Sequence, residues 1–158
     1  MFARESLVTG PSLPNPLTFR LRLAALVIGV FLIGANSFIL SPILSDVAAS
    51  LNTTAVPITW SISAFGGATG LSAFFLSGMI DRSDARLVFS AAFVVMALGF
   101  LGSAVTPVWQ GLAGGQALVG LATGILLPAI YSEAVRIAPE GQGARSLGIV
   151  LSGWSISL

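Results

Sequence analysis

The run LVFSAAFVVMALGFLGSAVTPVWQGLAGGQALVGLATGILLPAIYS, residues 87–132, holds 46 positions without one charged side chain. Ordinary soluble domains carry roughly 25% charged residues, so a run of this length is foreign to them. As one helix at about 1.5 Å per residue it would reach about 69 Å, more than twice the roughly 30 Å of bilayer hydrocarbon. The run must therefore fold back once. Its break is Ser103-Ala104-Val105-Thr106-Pro107-Val108-Trp109-Gln110, where a proline interrupts the apolar pattern and a tryptophan suits a membrane–water interface.

Three other uncharged runs flank this one, at residues 23–45, 47–80 and 146–158. A helix needs about 20 apolar residues to span a bilayer. The first run gives one span at about 23–44. The second gives a polar lead-in, Ser50 to Thr54, and a span at about 56–80. The long run gives two, at about 87–105 and 109–132. Residues 146–158 would make only about 20 Å of helix, so they read as the start of a fifth span. The chain is thus expected to be the N-terminal piece of a longer protein. The fold class is all-α: a polytopic transmembrane helical bundle of four complete spans and part of a fifth, preceded by a cytoplasmic tail at 1–22. The apolar run at 23–45 continues past the small residues Gly34-Ala35, which argues for a span rather than a cleaved leader.

Charge sets the orientation. The seven basic residues are Arg4, Arg20, Arg22, Arg82, Arg86, Arg136 and Arg145. With the N-terminus inside, segments 1–22, 81–86 and 133–145 hold all of them and the outside connections hold none, as the positive-inside rule requires. The expected location is the plasma (inner) membrane, with the lipid bilayer as constant partner. Asp46, at the outer edge, is expected to cap a short turn from Asp46 to Leu51.

Composition excludes several function classes. The 158 residues are 55% hydrophobic and 8% charged, with a net charge of +1, which gives no footprint for nucleic acid. Cysteine and histidine are absent, so disulfides, thiolate or imidazole metal centres and Cys or His nucleophiles are absent too. No metal, cofactor or enzymatic activity is expected.

Glycine, 18 residues in all, is concentrated within the spans. Gly66/Gly70, Gly111/Gly115 and Gly120/Gly124 are each four apart, a spacing that lets helices approach closely in lipid.

The connection between the second and third spans is Ser77-Gly78-Met79-Ile80-Asp81-Arg82-Ser83-Asp84-Ala85-Arg86. It resembles the signature loop of the major facilitator superfamily, Gly-x-Leu-Ala-Asp-Arg-x-Gly-Arg-Lys. Asp81 and Arg82 match the Asp-Arg pair and Arg86 the second basic position. Ser77 stands at the first Gly, beside Gly78; Asp84 replaces the loop Gly, and Ala85 the first basic residue. Asn36 to Leu51, with Pro42, looks like the end of the first helix in the drug:proton antiporter branch. Gln116 to Pro128 is similar to that family's fourth-helix pattern Arg-x-x-Gln-Gly-x-Gly-x-Gly-x-x-x-Pro, with Gln116 at the Arg position and Val119 at the Gln position. Ala144 to Trp154 looks like the start of the fifth helix of sugar- or drug-efflux members.

The resemblance implies a twelve-span transporter that exports small molecules, a drug, sugar or metabolite, by proton antiport through alternating access. It implies that Gly78, Asp81, Arg82, Arg86 and Glu133 form a gating cluster that latches the two halves in one state. It also implies a central cavity for a small-molecule substrate. Polar and aromatic side chains in otherwise apolar helices tend to face a bundle interior, which makes Asn36, Phe38, Phe65, Gln116, Thr123 and Trp154 candidates for its wall. A uniporter or importer of the same fold, and a small membrane subunit without transport, are the alternatives.

Overall fold

A computed structural model describes residues 16–80 and 84–158. Among the described residues the ordered structure is entirely helical: α1 Pro16–Ile39, α2 Leu44–Ser50, α3 Ala55–Ile80, α4 Ala85–Val105, α5 Trp109–Arg136 and α6 Gly143–Ile156. Three of these, Pro16–Ile39, Arg86–Val105 and Trp109–Arg136, are long and apolar enough to cross a membrane. Helix α3 is 26 residues long and carries no charged side chain.

Several boundaries differ from the pattern of apolar runs: α5 continues past residue 132 to Arg136 and α6 begins ahead of residue 146, at Gly143, and both ends of α1 move. Helix α1 starts at Pro16, so residues 16–22 of the expected tail form its first two turns. Proline at the first helical position loses nothing, because its missing N–H would be unpaired there anyway. The charges of Arg20 and Arg22 do not oppose helix formation; they only mark where the apolar surface begins. Helix α1 then stops at Ile39, and Leu44 belongs to the separate helix α2. Asp46 lies in the first turn of α2 rather than capping it; the N-cap position is Ile43, without a side-chain bond. There the carboxylate favours the positive end of the helix dipole.

The connection after α2 is set by local chemistry. Thr53 N–H donates to Ala48 O at 2.9 Å and Asn52 N–H to Ala49 O at 3.1 Å. This reciprocal closure needs a left-handed residue just past the helix end, and Asn52 supplies it with φ 48°. Asparagine tolerates that region better than most residues. Asp84 caps α4, its side chain accepting from Arg86 N–H at 2.9 Å.

Helix α5 is the centre of the bundle, packing on α3, α4, α6 and α1. Its buried positions Val119, Ala122, Leu126 and Ile130 recur at three- and four-residue steps. With Val30 and Ile33 of α1, Phe65 of α3, Met96 of α4 and Val150 of α6 they form the main core. A smaller core joins Ala48 of α2, Ile58 of α3 and Leu112 of α5. The outward faces are equally apolar: Phe74 is 79% exposed and stacks edge-on against Phe75. Such a surface is stable in lipid rather than in water.

Backbone proximity at glycines explains the tight seams, and the three glycine pairs divide their work. Gly120 and Gly124 of α5 lie against the backbone of α3 at Phe65 and Thr69. Gly115 of α5 meets Gly99 of α4, and a Cβ on either would lie 2.7 Å from the other's carbonyl oxygen. Gly111 lies against Thr106 in the connection before its own helix, while Gly66 and Gly70 of α3 have nothing within 4 Å. The α3 pair therefore serves no packing within this bundle. Ser72 adds a polar tie across the α3–α5 seam, donating to Leu121 O at 2.9 Å.

Candidate functional site

The polar side chains of the spans converge at two places. Near the Ile39 end of α1, Asn36 donates from Nδ2 to Gln116 Oε1 of α5 at 3.4 Å. Gln116 is buried and Asn36 half-buried. Two residues along α1, Phe38 meets Trp154 of α6 edge-on with ring centroids 6.2 Å apart. The α1–α6 approach is close because Gly153 places its Cα against the backbone of α1, where a Cβ would lie 2.6 Å from Val27 O. Thr123 sits two turns past Gln116 on α5, buried, with Oγ1 lacking a hydrogen-bond partner. Of the six candidate wall residues, Asn36, Phe38, Gln116 and Trp154 thus form two contacting pairs. Phe65 lies in the main core at the α3–α5 seam, where its carbonyl accepts from Thr69 Oγ1 at 2.8 Å.

At the other end of the bundle an open cavity of about 1040 Å³ lies between α1, α4 and α5. Arg22, Asp84, Arg86, Glu133 and Arg136 rim it, and Leu26, Phe89, Phe93 and Ile130 form apolar walls. Arg86 and Glu133 of the expected gating cluster therefore face one space. Glu133 takes Arg136 as its partner, Nε to Oε2 at 2.6 Å. Three residues apart on one helix, the two meet without closing a loop. The pair is largely solvated on the arginine side and contributes on the order of 0–1 kcal/mol. Gly78 falls in the last turn of α3; Asp81 and Arg82 lie outside the described residues.

Sequence reasoning missed three participants here. Asp84 was legible as an acid just ahead of an apolar run, the usual N-cap signal. Arg22 and Arg136 read as orientation signals, and nothing in their local sequence places them on a shared cavity. Among the described residues no group of three or more acidic side chains could hold a metal ion.

The family model for the Major Facilitator Superfamily matches residues 26–158. A protein of Bacillus subtilis (strain 168), named an uncharacterized MFS-type transporter, YwfA, is 29% identical over 134 residues, covering 85% of this chain and 32% of that protein. The chain thus spans about a third of the length of the curated relative it matches.

Proposed function

The chain belongs to the major facilitator superfamily, a family of multi-pass membrane transporters, and from that premise we propose that it forms part of an exporter of small molecules. In this reading α1, α3, α4 and α5 each cross the plasma (inner) membrane and α6 is part of a fifth span. The N-terminus, the α3–α4 connection and the α5–α6 connection are cytoplasmic. The arginine distribution supports that orientation. Solute passes along the α1–α5–α6 side of the bundle, and alternating access moves this bundle against a further part of the protein.

The observation that carries the reading is the family match over residues 26–158. The meeting of Asn36, Gln116, Phe38 and Trp154 within otherwise apolar helices supports the location of the pathway. The cavity shared by Arg86 and Glu133 supports a gating role for the inner cluster: Glu133 leaves Arg136 for Arg86 in one state and returns in the other. A latch of this kind needs only a contact made in one state and broken in the other.

Proton antiport is the coupling proposed first. Uniport is a second reading, favoured by a specific observation. Between Leu23 and Ile39, Ala55 and Leu76, and Trp109 and Ser132, no carboxylate or guanidinium occurs, so this part offers no acidic proton relay.

The test is accumulation of a neutral antibiotic, chloramphenicol, and a cationic dye, ethidium, in cells making the complete protein. Export predicts lower accumulation of at least one probe than in control cells, restored by a protonophore. Faster equilibration of the neutral probe in both directions, with its final level unchanged and insensitive to a protonophore, selects uniport. Unaltered accumulation of a broad solute panel, with the protein verified in the membrane, overturns export.

A further inference from the structure

The cavity between α1, α4 and α5 is ordered by polarity. Its charged groups gather at one end: Arg22 early in α1, Asp84 and Arg86 at the start of α4, Glu133 and Arg136 in the last turn of α5. Behind them the walls are mainly apolar, with Leu26, Phe89, Phe93 and Ile130. Gly29 follows Arg22 by seven positions, and Phe93 follows Arg86 by seven, so the walls run back about 10 Å from the charged mouth. Phe93 is 49% exposed, which leaves the α4 wall open at the side. A charged mouth over apolar walls fits an amphiphile; a hydrophilic ion would use the mouth and leave the walls wet.

The charges choose the sign. Three guanidinium groups face two carboxylates at the mouth, and both carboxylates are engaged. Asp84 accepts from Arg86 N–H at 2.9 Å, and Glu133 pairs with Arg136 at 2.6 Å. Among the described residues, Arg22 and Arg86 have no carboxylate within salt-bridge distance. Two uncompensated cations, on different helices, therefore flank the opening. Guanidinium groups suit phosphate oxygens in both charge and geometry. Basic pockets between spanning helices on the cytoplasmic side are the usual seats of anionic lipid head groups. Resting on the orientation proposed above, which sets this mouth at the cytoplasmic surface, we propose that the cavity holds an anionic glycerophospholipid of the inner leaflet. Its phosphate lies between Arg22 and Arg86, and an acyl chain runs along Leu26, Phe89 and Phe93.

The test is photocrosslinking of the complete protein in phosphatidylethanolamine vesicles. The vesicles are doped with phosphatidylglycerol carrying a diazirine in one acyl chain, or with the phosphatidylcholine of identical chains. Labelled residues are mapped by peptide mass spectrometry, with the exposed α4 residues Leu98 and Leu101 as the reference for general lipid contact. Relative to that reference, the anionic probe should label segments 25–29 and 89–93 at least about fivefold more than the zwitterionic one. Arg22→Gln or Arg86→Gln should each lower this labelling about fivefold, while Arg145→Gln, away from the cavity, should leave it unchanged. Equal labelling by the two probes, or an equal loss in Arg145→Gln, would reduce the effect to general attraction and overturn the site. Reference labelling without label on either wall would show the cavity filled by protein and overturn it too. Displacement by inorganic phosphate at constant ionic strength would reassign the arginine pair to a soluble anion. Failure of the orientation reading is a separate result: Gln142→Cys would react with an impermeant maleimide from outside intact cells, with the crosslinks to both walls still formed.

Discussion

Replacing Gly115 by alanine tests how closely α4 and α5 must approach, and replacing its neighbour Gly114 supplies the control. A Cβ at residue 115 would lie 2.7 Å from Gly99 O and 2.9 Å from Ser103 N, both backbone atoms of α4, and would also meet Ser103 Oγ. Side-chain rotation cannot relieve the backbone contacts, so the helices must separate by several tenths of an ångström along the seam. Overpacking of this kind costs about 1–3 kcal/mol. Against it stands the higher helix propensity of alanine, about 1 kcal/mol. The net expectation for Gly115→Ala is a loss of up to about 2 kcal/mol. At residue 114 a Cβ has nothing within 4 Å, so only the propensity term remains, and Gly114→Ala should be neutral or more stable by up to about 1 kcal/mol. The assay is unfolding by SDS in mixed micelles, followed by the fluorescence of Trp60, Trp109 and Trp154. Equal midpoints for the two variants would refute the claim that backbone contact holds this seam.

Other expectations follow from the same geometry. Asn52→Val should lose about 1 kcal/mol in the same titration, because a β-branched residue resists the left-handed conformation that closes α2; Asn52→Gly should be unchanged or slightly more stable. Ser72→Ala should cost about 1 kcal/mol, the usual net worth of a hydrogen bond, and Ser72→Thr should cost more by crowding Gly124. Glu133→Gln should leave unfolding within about 1 kcal/mol of the parent, since its partner Arg136 is solvated, yet reduce transport by the complete protein; unaffected transport would remove Glu133 from the gate. Arg86→Ala should likewise cut transport while leaving the amount of inserted protein unchanged, as read by immunoblot of membranes.

Much of the architecture is legible because lipid imposes a one-dimensional rule: long uncharged runs, broken where polar or proline residues gather. The break at Thr106-Pro107-Val108 is visible for that reason. What the runs conceal is backbone register. Leu44 sits inside an apolar run, yet α1 ends at Ile39 and the chain turns into α2, because a run of apolar residues fixes no helix terminus. The same holds for Pro16, where helix begins ahead of the apolar surface. Glycine spacing announces close packing without naming the partner: Gly66/Gly70 and Gly120/Gly124 look alike in sequence, and only the second pair meets another helix.

The candidate site was legible by type more than by contact. Asn36, Gln116 and Trp154 stand out as polar or aromatic groups in apolar helices, but the pairings Asn36–Gln116 and Phe38–Trp154 depend on how α1 crosses α5 and α6. Glu133 was expected beside Arg86; an arginine three residues along its own helix holds it instead. Phe65 was grouped with the cavity wall because aromatic side chains serve walls and cores equally; in this bundle it is buried in the main core.

The central claim, that this bundle spans the membrane with its polar seam between two aqueous faces, is tested most directly by single-cysteine topology in cells making the complete protein. Ser50→Cys and Val108→Cys are probed with a membrane-impermeant maleimide before and after permeabilisation, alongside Gln142→Cys. The account predicts labelling of residues 50 and 108 in intact cells and of residue 142 only after permeabilisation. Labelling of all three from one side, or of residue 142 from outside with 50 and 108 protected, would contradict it.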